Sequence, residues 1–465
     1  MLDATQSAIA ANRFGLGARP RELADIGSMP REWLRVQLQG AAPLLSGAQL
    51  EDSAHTLARA LELRHELREE RQAPASPGTP PQPQRVAQLL RPVYVSEAGA
   101  RFAQAVRSER PFLERLVQFW SNHFAVSVDK PLLAGLAGSF EREAIRPHVL
   151  GRFSELLLAV ETHPAMLLYL DNHVSVGPHS SLAQRAGQRA GARRLGINEN
   201  LAREILELHT LGVGGGYTQG DVTTFAEVLT GWSLGGGRGR LAAGEPGRFL
   251  FRAELHEPGA KLMRNTRYAD GGFGQGVAVL NDLARAPATA HFLAGKLARH
   301  FVADEPPPAL IARLAGAFTA SEGDLATVYR TLIDAREAWE AGLAKYKTPN
   351  DFITSAYRGL GLPVEEGAAA LAPFELLGQR TWQPGSPAGW PDRSADWDGA
   401  SALLKRIEWA DGIGARLGSR CDAQQLAPLL LGANLATPTR TAIAHAASAG
   451  QATTLLLAAP EFLRR

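Results

Sequence analysis

Asn198-Glu199-Asn200-Leu201-Ala202-Arg203-Glu204-Ile205-Leu206-Glu207-Leu208-His209-Thr210-Leu211-Gly212 reads as one amphipathic helix. At about 100° per residue, Leu201, Ile205 and Leu208 fall on one arc, and Ala202, Leu206 and His209 extend it. Glu199, Asn200, Arg203, Glu204, Glu207 and Thr210 share the other side. Asn198 suits the N-cap, where a short polar side chain accepts an otherwise unpaired N–H. Gly212 suits the left-handed residue that ends a helix. Glu199, Arg203 and Glu207 are spaced as a ladder, which on an exposed face adds only about a few tenths of a kcal/mol per pair. If protein covered both faces, the glutamates would instead need cations or a metal. Two carboxylates kept apart by Arg203 could then hold different proton affinities for acid–base work. With an imidazole they could also ligate a divalent metal.

Working outward, Leu113, Leu116, Val117, Trp120 and Phe124 recur at spacings of three and four, which predicts a helix with one buried stripe. His123 lies on or beside that stripe. It is either a hydrogen-bonded core residue or a semi-buried imidazole able to act as base or metal ligand. Asn122 points more to the side. Arg142 and Arg146 share a helix face, as a solvated charge ladder or as an Arg pair steadying an internal carboxylate. His256 follows a partial strand pattern at Phe249–His256 and could project into a cleft. His256-Glu257-Pro258 is no zincin motif, because the second histidine is missing. The glycines at 212–216 lack the Lys-Ser/Thr of a phosphate loop, and no Gly-x-Ser-x-Gly elbow occurs. The candidate catalytic set is therefore His123, Glu199, Glu204 and Glu207, with Arg142 and Arg203 as charge stabilisers. Asn122, Asn198, Asn200 and His256 are candidate substrate contacts.

The other segments are mostly helix patterns joined by loops, with a proline-rich break at residues 75–83 and a Pro/Gly/Trp loop at 385–398. Strand signals are sparse and no strand–helix–strand alternation is present, so the expected class is all-α. We expect a large multi-helix body with long loops and at most a small β-hairpin near 248–262. The 465 residues read as a single unit. Possible subdivisions are an N-terminal hairpin region (1–105), a central core with the site (106–235), an insertion (236–279) and a C-terminal helical region (280–465). The net charge of +2 gives no basic face for nucleic acid. Arg185, Arg189, Arg193 and Arg194 mark either a surface loop or a clamp over an anion. Cys421 is alone, so no internal disulfide can form. No apolar run approaches the roughly 18 residues of a membrane span, and no basic-then-apolar leader opens the sequence. That gives a cytoplasmic expectation.

Several segments in order resemble a bacterial family catalogued as domain of unknown function 1800. They include Asn12-Arg13-Phe14-Gly15-Leu16-Gly17, Phe119-Trp120-Ser121-Asn122-His123-Phe124, Phe140-Glu141-Arg142-Glu143, His163-Pro164 through Asp171-Asn172, and Asn198 to Gly212. The resemblance implies a largely helical bacterial protein without an established activity. It also implies gene neighbours similar to alkaline-phosphatase-type hydrolases and sulfatases, which often look exported. Three readings follow. The first is a hydrolase-like or metal-assisted enzyme with a His/Glu/Arg centre, its cofactor unknown or a divalent metal. The second is a non-catalytic partner or chaperone of the neighbouring hydrolase-like protein, periplasmic or exported with it. The third is an anion-binding module built on the loop at 185–194.

Overall fold

The computed structural model describes residues 2–45, 50–70, 82–187, 196–236, 242–340 and 342–465. Helices dominate, and the described strands form two small two-stranded antiparallel sheets. One hydrophobic core runs from Ile9 to Leu463, with a satellite of Ala60, Leu67, Val86 and Leu90. The satellite is the seam of a helical hairpin, Ser53–Glu70 against Gln82–Arg107. Residues 75–81 of the proline-rich break at 75–83 lie outside the described residues, and its last two, Gln82 and Pro83, instead open the second helix, where a missing N–H costs little.

The apolar stripe of the second segment makes the helix Pro111–His123, with proline in the first turn, where a missing N–H costs little. Phe112, Leu113, Leu116, Val117 and Trp120 are completely buried. Trp120 donates its indole N–H to the Tyr329 hydroxyl at 2.6 Å. That bond satisfies a polar tip which would otherwise be stranded in the core.

The helix beginning at Asn200 departs from a regular wheel. It runs α-helical through Asn200–Glu204 and widens into a π-helical turn at Ile205–His209. Buried positions therefore come in pairs four apart: Leu201 and Ala202, Ile205 and Leu206, His209 and Thr210. Leu208 loses its place on the buried arc and is only partly covered. Thr210 Oγ1 donates to the Ile205 carbonyl at 2.6 Å, which helps satisfy the widened turn.

The strand pattern at 249 becomes Phe249–Phe251, paired antiparallel with Trp232–Leu234. A second ribbon, Lys261–Met263 with Thr266–Tyr268, turns through Arg264 and Asn265. Both turn residues have positive φ (46° and 62°), as the tightest hairpins require.

Arg142 and Arg146 both steady buried carboxylates. Arg146 pairs with Glu114 at 2.8 Å and Glu141 at 3.2 Å, and Arg101 pairs with Glu141 at 2.7 Å. Arg142 pairs with Glu97 at 2.8 Å. No helix among the described residues is long and apolar enough to cross a membrane.

Candidate functional site

A cavity of about 360 Å³ is lined mainly by four elements, with Arg101 added from the helix Gln82–Arg107. The helix Pro111–His123 supplies Arg115, Phe119, Asn122 and His123. The helix Pro287–Phe301 supplies Lys296, Arg299 and His300. The start of the helix Pro349–Leu360 supplies Asn350 and Asp351. The irregular segment 379–396 brings Trp382, Trp390 and Asp392. Lys296 and His300 are four residues apart, so one helix face presents both.

His300 and Asp392 form the most defined pair. Nδ1 of His300 lies 3.1 and 3.2 Å from the two carboxylate oxygens. A carboxylate can only accept, so Nδ1 carries the proton and Nε2 is left as a lone-pair acceptor. No group among the described residues bonds that Nε2. Burial drives the imidazole pKa down to about 4 and outweighs the opposing pull of Asp392, so His300 is neutral near pH 7. Asp392 is held well below the usual carboxylate range: burial works against this, and His300, Lys345 and Arg465 overcome it.

Asp351 anchors the floor, with Arg115 at 3.0 Å and Arg465 at 2.8 Å. Arg465 also reaches Asp392 at 3.4 Å and donates to the His300 backbone carbonyl at 2.6 Å. Six Lys and Arg but only three Asp side chains line the cavity. Arg101, Arg115, Arg380 and Arg393 each have a carboxylate partner. Among the described residues, Lys296 and Arg299 have none within ion-pair distance. Lys296 lies 5.6 Å from the centre of the Phe292 ring, and Arg299 bonds a backbone carbonyl. Burial lowers the Lys296 pKa to about 8.

The structure places the sequence-derived candidates in three groups. His123 and Asn122 line the cavity. His123 is 1% exposed, and its Nε2 lies 3.1 Å from the backbone carbonyl of His209. His209 in turn bonds Glu161 at 2.8 Å. The two segments thus meet through His209 and not through the glutamates. Asn122 is committed to the main chain of Trp390: its amide donates to the carbonyl at 2.9 Å, and its oxygen accepts the N–H at 2.8 Å.

The second group lies outside the cavity lining. Glu199, Arg203 and Glu207 form the expected ladder, each about a third exposed, at 3.0 and 3.6 Å. Asn198 accepts the Asn200 N–H at 2.9 Å, a local turn, and Asn200 is exposed. Glu204 is half-buried, and burial raises its carboxyl pKa. Arg142 serves Glu97. His256 is buried against Phe251, its Nδ1 2.9 Å from the Thr230 carbonyl. The third group is the arginine loop: Arg185 bonds Ser181 at 2.8 Å, and Arg189, Arg193 and Arg194 lie outside the described residues.

Sequence reasoning did not single out Arg115, Lys296, His300, Asp351 or Asp392. Two signals were present: the four-residue spacing of Lys296 and His300, and an aspartate within the Trp390-Pro391-Asp392 loop. Among the described residues, no three His, Cys, Asp or Glu side chains are grouped to hold a metal ion.

Fold and cavity together define a helical protein with an internal, cation-rich pocket. The chain belongs to the family described as Protein of unknown function (DUF1800), whose model matches residues 9–464. No curated protein and no solved structure matches it.

Proposed function

We propose that the cavity is the active site of an acid–base enzyme acting on a small anionic substrate. The observation that carries this reading is the His300–Asp392 pair beside two cations, Lys296 and Arg299, that have no carboxylate within ion-pair distance among the described residues. Lys296 and Arg299 hold the anionic group. Neutral His300, oriented by Asp392, accepts a proton from the substrate or from a water attacking it, which is the hydrolase-like form of the reading. An anion bound nearby stabilises the imidazolium and lifts its pKa from about 4 towards neutrality, where a general base works best. The cavity's size falls in the range of small-molecule sites, about 300–1,000 Å³.

Calorimetric titration of sulfate, phosphate and acetate into the full chain and into Lys296→Met tests the binding step. The reading expects at least one anion to bind the wild-type chain and affinity to fall at least about tenfold in the variant, the loss of one charge-assisted contact. Silence of all three anions with the wild-type chain, or equal affinity in the variant, overturns it.

A further inference from the structure

Each histidine in the cavity lining has one nitrogen pinned by an oxygen and the other without a partner among the described residues. For His123 the pinning oxygen is a backbone carbonyl, which can only accept. Nε2 must therefore be the N–H, and Nδ1 the bare acceptor. For His300 the Asp392 carboxylate fixes the mirror arrangement, with Nε2 bare. Phe119 neighbours both imidazoles, its ring centre 6.3 Å from His123 and 5.3 Å from His300. Burial holds His123 well below its ordinary pKa, with Lys296 and His209 adding to the effect, so protonation does not supply the missing donor. An acceptor buried this deeply is rarely left unmade; no described residue supplies the donor, and both histidines line the cavity, so a molecule seated there can supply it.

We infer that the substrate is an anionic hydroxy compound: a carboxylate, phosphate or sulfate held by Lys296 and Arg299, with hydroxyl groups donating to Nδ1 of His123 and Nε2 of His300. This rests on the proposed active site and adds the class of molecule. His209 and Glu161 are positioning residues, because the bond between them at 2.8 Å steadies the segment whose carbonyl sets the His123 tautomer. A cavity with cations alone would take any small anion. One that also carries two bare acceptors selects for hydroxyls, since an analogue lacking them leaves the acceptors unmade.

The test uses charge-matched pairs with and without hydroxyls: glycerol 3-phosphate against propyl phosphate, and gluconate against hexanoate. Each is titrated calorimetrically into the full chain. The hydroxylated member of at least one pair is expected to bind about tenfold tighter, the size of one or two well-made hydrogen bonds. The pair showing the difference tells phosphate from carboxylate. In His123→Phe, whose ring fills the same place and offers no acceptor, the difference should shrink at least threefold. Equal binding within both pairs, or an undiminished difference in His123→Phe, overturns the inference and leaves anion binding standing. Failure of all four probes overturns both. Should the variant not fold, the wild-type chain with ¹⁵N-labelled histidine decides: His123 must show a protonated Nε2 and a bare Nδ1 that does not titrate between pH 5 and 8, and a protonated Nδ1 refutes the assignment.

Discussion

Lys296 combines a charge that lacks an ion-pair partner among the described residues with a position in which protein replaces part of its water. Desolvation disfavours the ammonium, which is why its pKa falls to about 8. The amine is charged below that value and neutral above it, so its hold on an anion is present at neutral pH and fades as pH rises. Sulfate keeps a constant charge over this range. Above pH 7.5, where His300 is largely neutral with or without the anion, the sulfate Kd should rise steadily past about 8, approaching tenfold per unit by calorimetry; a flat profile from pH 7.5 to 10 would speak against Lys296 as the anchor. Asp351 behaves oppositely, its carboxyl held well below the usual range because Arg115 and Arg465 outweigh the effect of burial. Asp351→Asn leaves two buried arginines short of a counter-charge and should cost about 3–5 kcal/mol in urea unfolding at pH 7. A depressed carboxyl contributes stability above its unfolded pKa, near 4, and loses it as pH falls towards the folded value. The gap between wild type and variant should therefore narrow between pH 4 and 2.5, and a constant gap would show that the charge is not what matters.

The segment carrying Asp392 is held by a clamp between elements. Asn122, at the end of one helix, makes two hydrogen bonds to the main chain of Trp390, two residues before the aspartate. Gly389 permits that approach: its φ is +82°, and a Cβ there would lie 2.3 Å from the Asn122 carbonyl oxygen. Asn122→Ala should cost about 1–3 kcal/mol and speed hydrogen exchange at the Trp390 amide. Gly389→Ala should be at least as damaging; unchanged exchange in both would disprove the clamp. The sequence made the helices legible, including the buried stripe before His123 and the exposed ladder Glu199–Arg203–Glu207. It did not reveal the π-helical turn at Ile205–His209, because a regular wheel contains no sign of a widened turn, and that turn trades Leu208 for Thr210 on the buried side. His123 and Asn122 were legible as site candidates from their place at the end of an apolar stripe. Asp392 and Arg115 were not, since residues 277 positions apart meet only through the tertiary fold.

Across the whole molecule, buried arginines tie distant segments to one core. Arg358 donates to the carbonyls of Gly17, Val106 and Ser108 and pairs with Glu22 at 3.0 Å. Arg115 reaches the Gly15 carbonyl, Arg406 that of Lys347, and Arg13 that of Ala338. An arginine-rich composition thus has a structural use in addition to any role in anion recognition: the guanidinium satisfies several acceptors in a fixed fork, as a lysine ammonium cannot. Arg358→Lys keeps the charge and loses the fork. It should lower stability by about 2–4 kcal/mol in urea unfolding, as a buried hydrogen-bonded charge left partly unpaired does; a loss under about 0.5 kcal/mol, the range of an indifferent surface change, would contradict this. The same network fixes the cavity, because Arg465 touches Asp351, Asp392 and the main chain of His300 together. The central claim is that this framework holds an unpaired amine ready for an anion. With six lysines in the chain, the Lys296 resonance can be followed by NMR in protein labelled with ¹³C at lysine Cε and assigned through Lys296→Met. The account predicts a midpoint near pH 8 that climbs when sulfate is added, whereas an ordinary midpoint near 10.4 that sulfate leaves unmoved would contradict it.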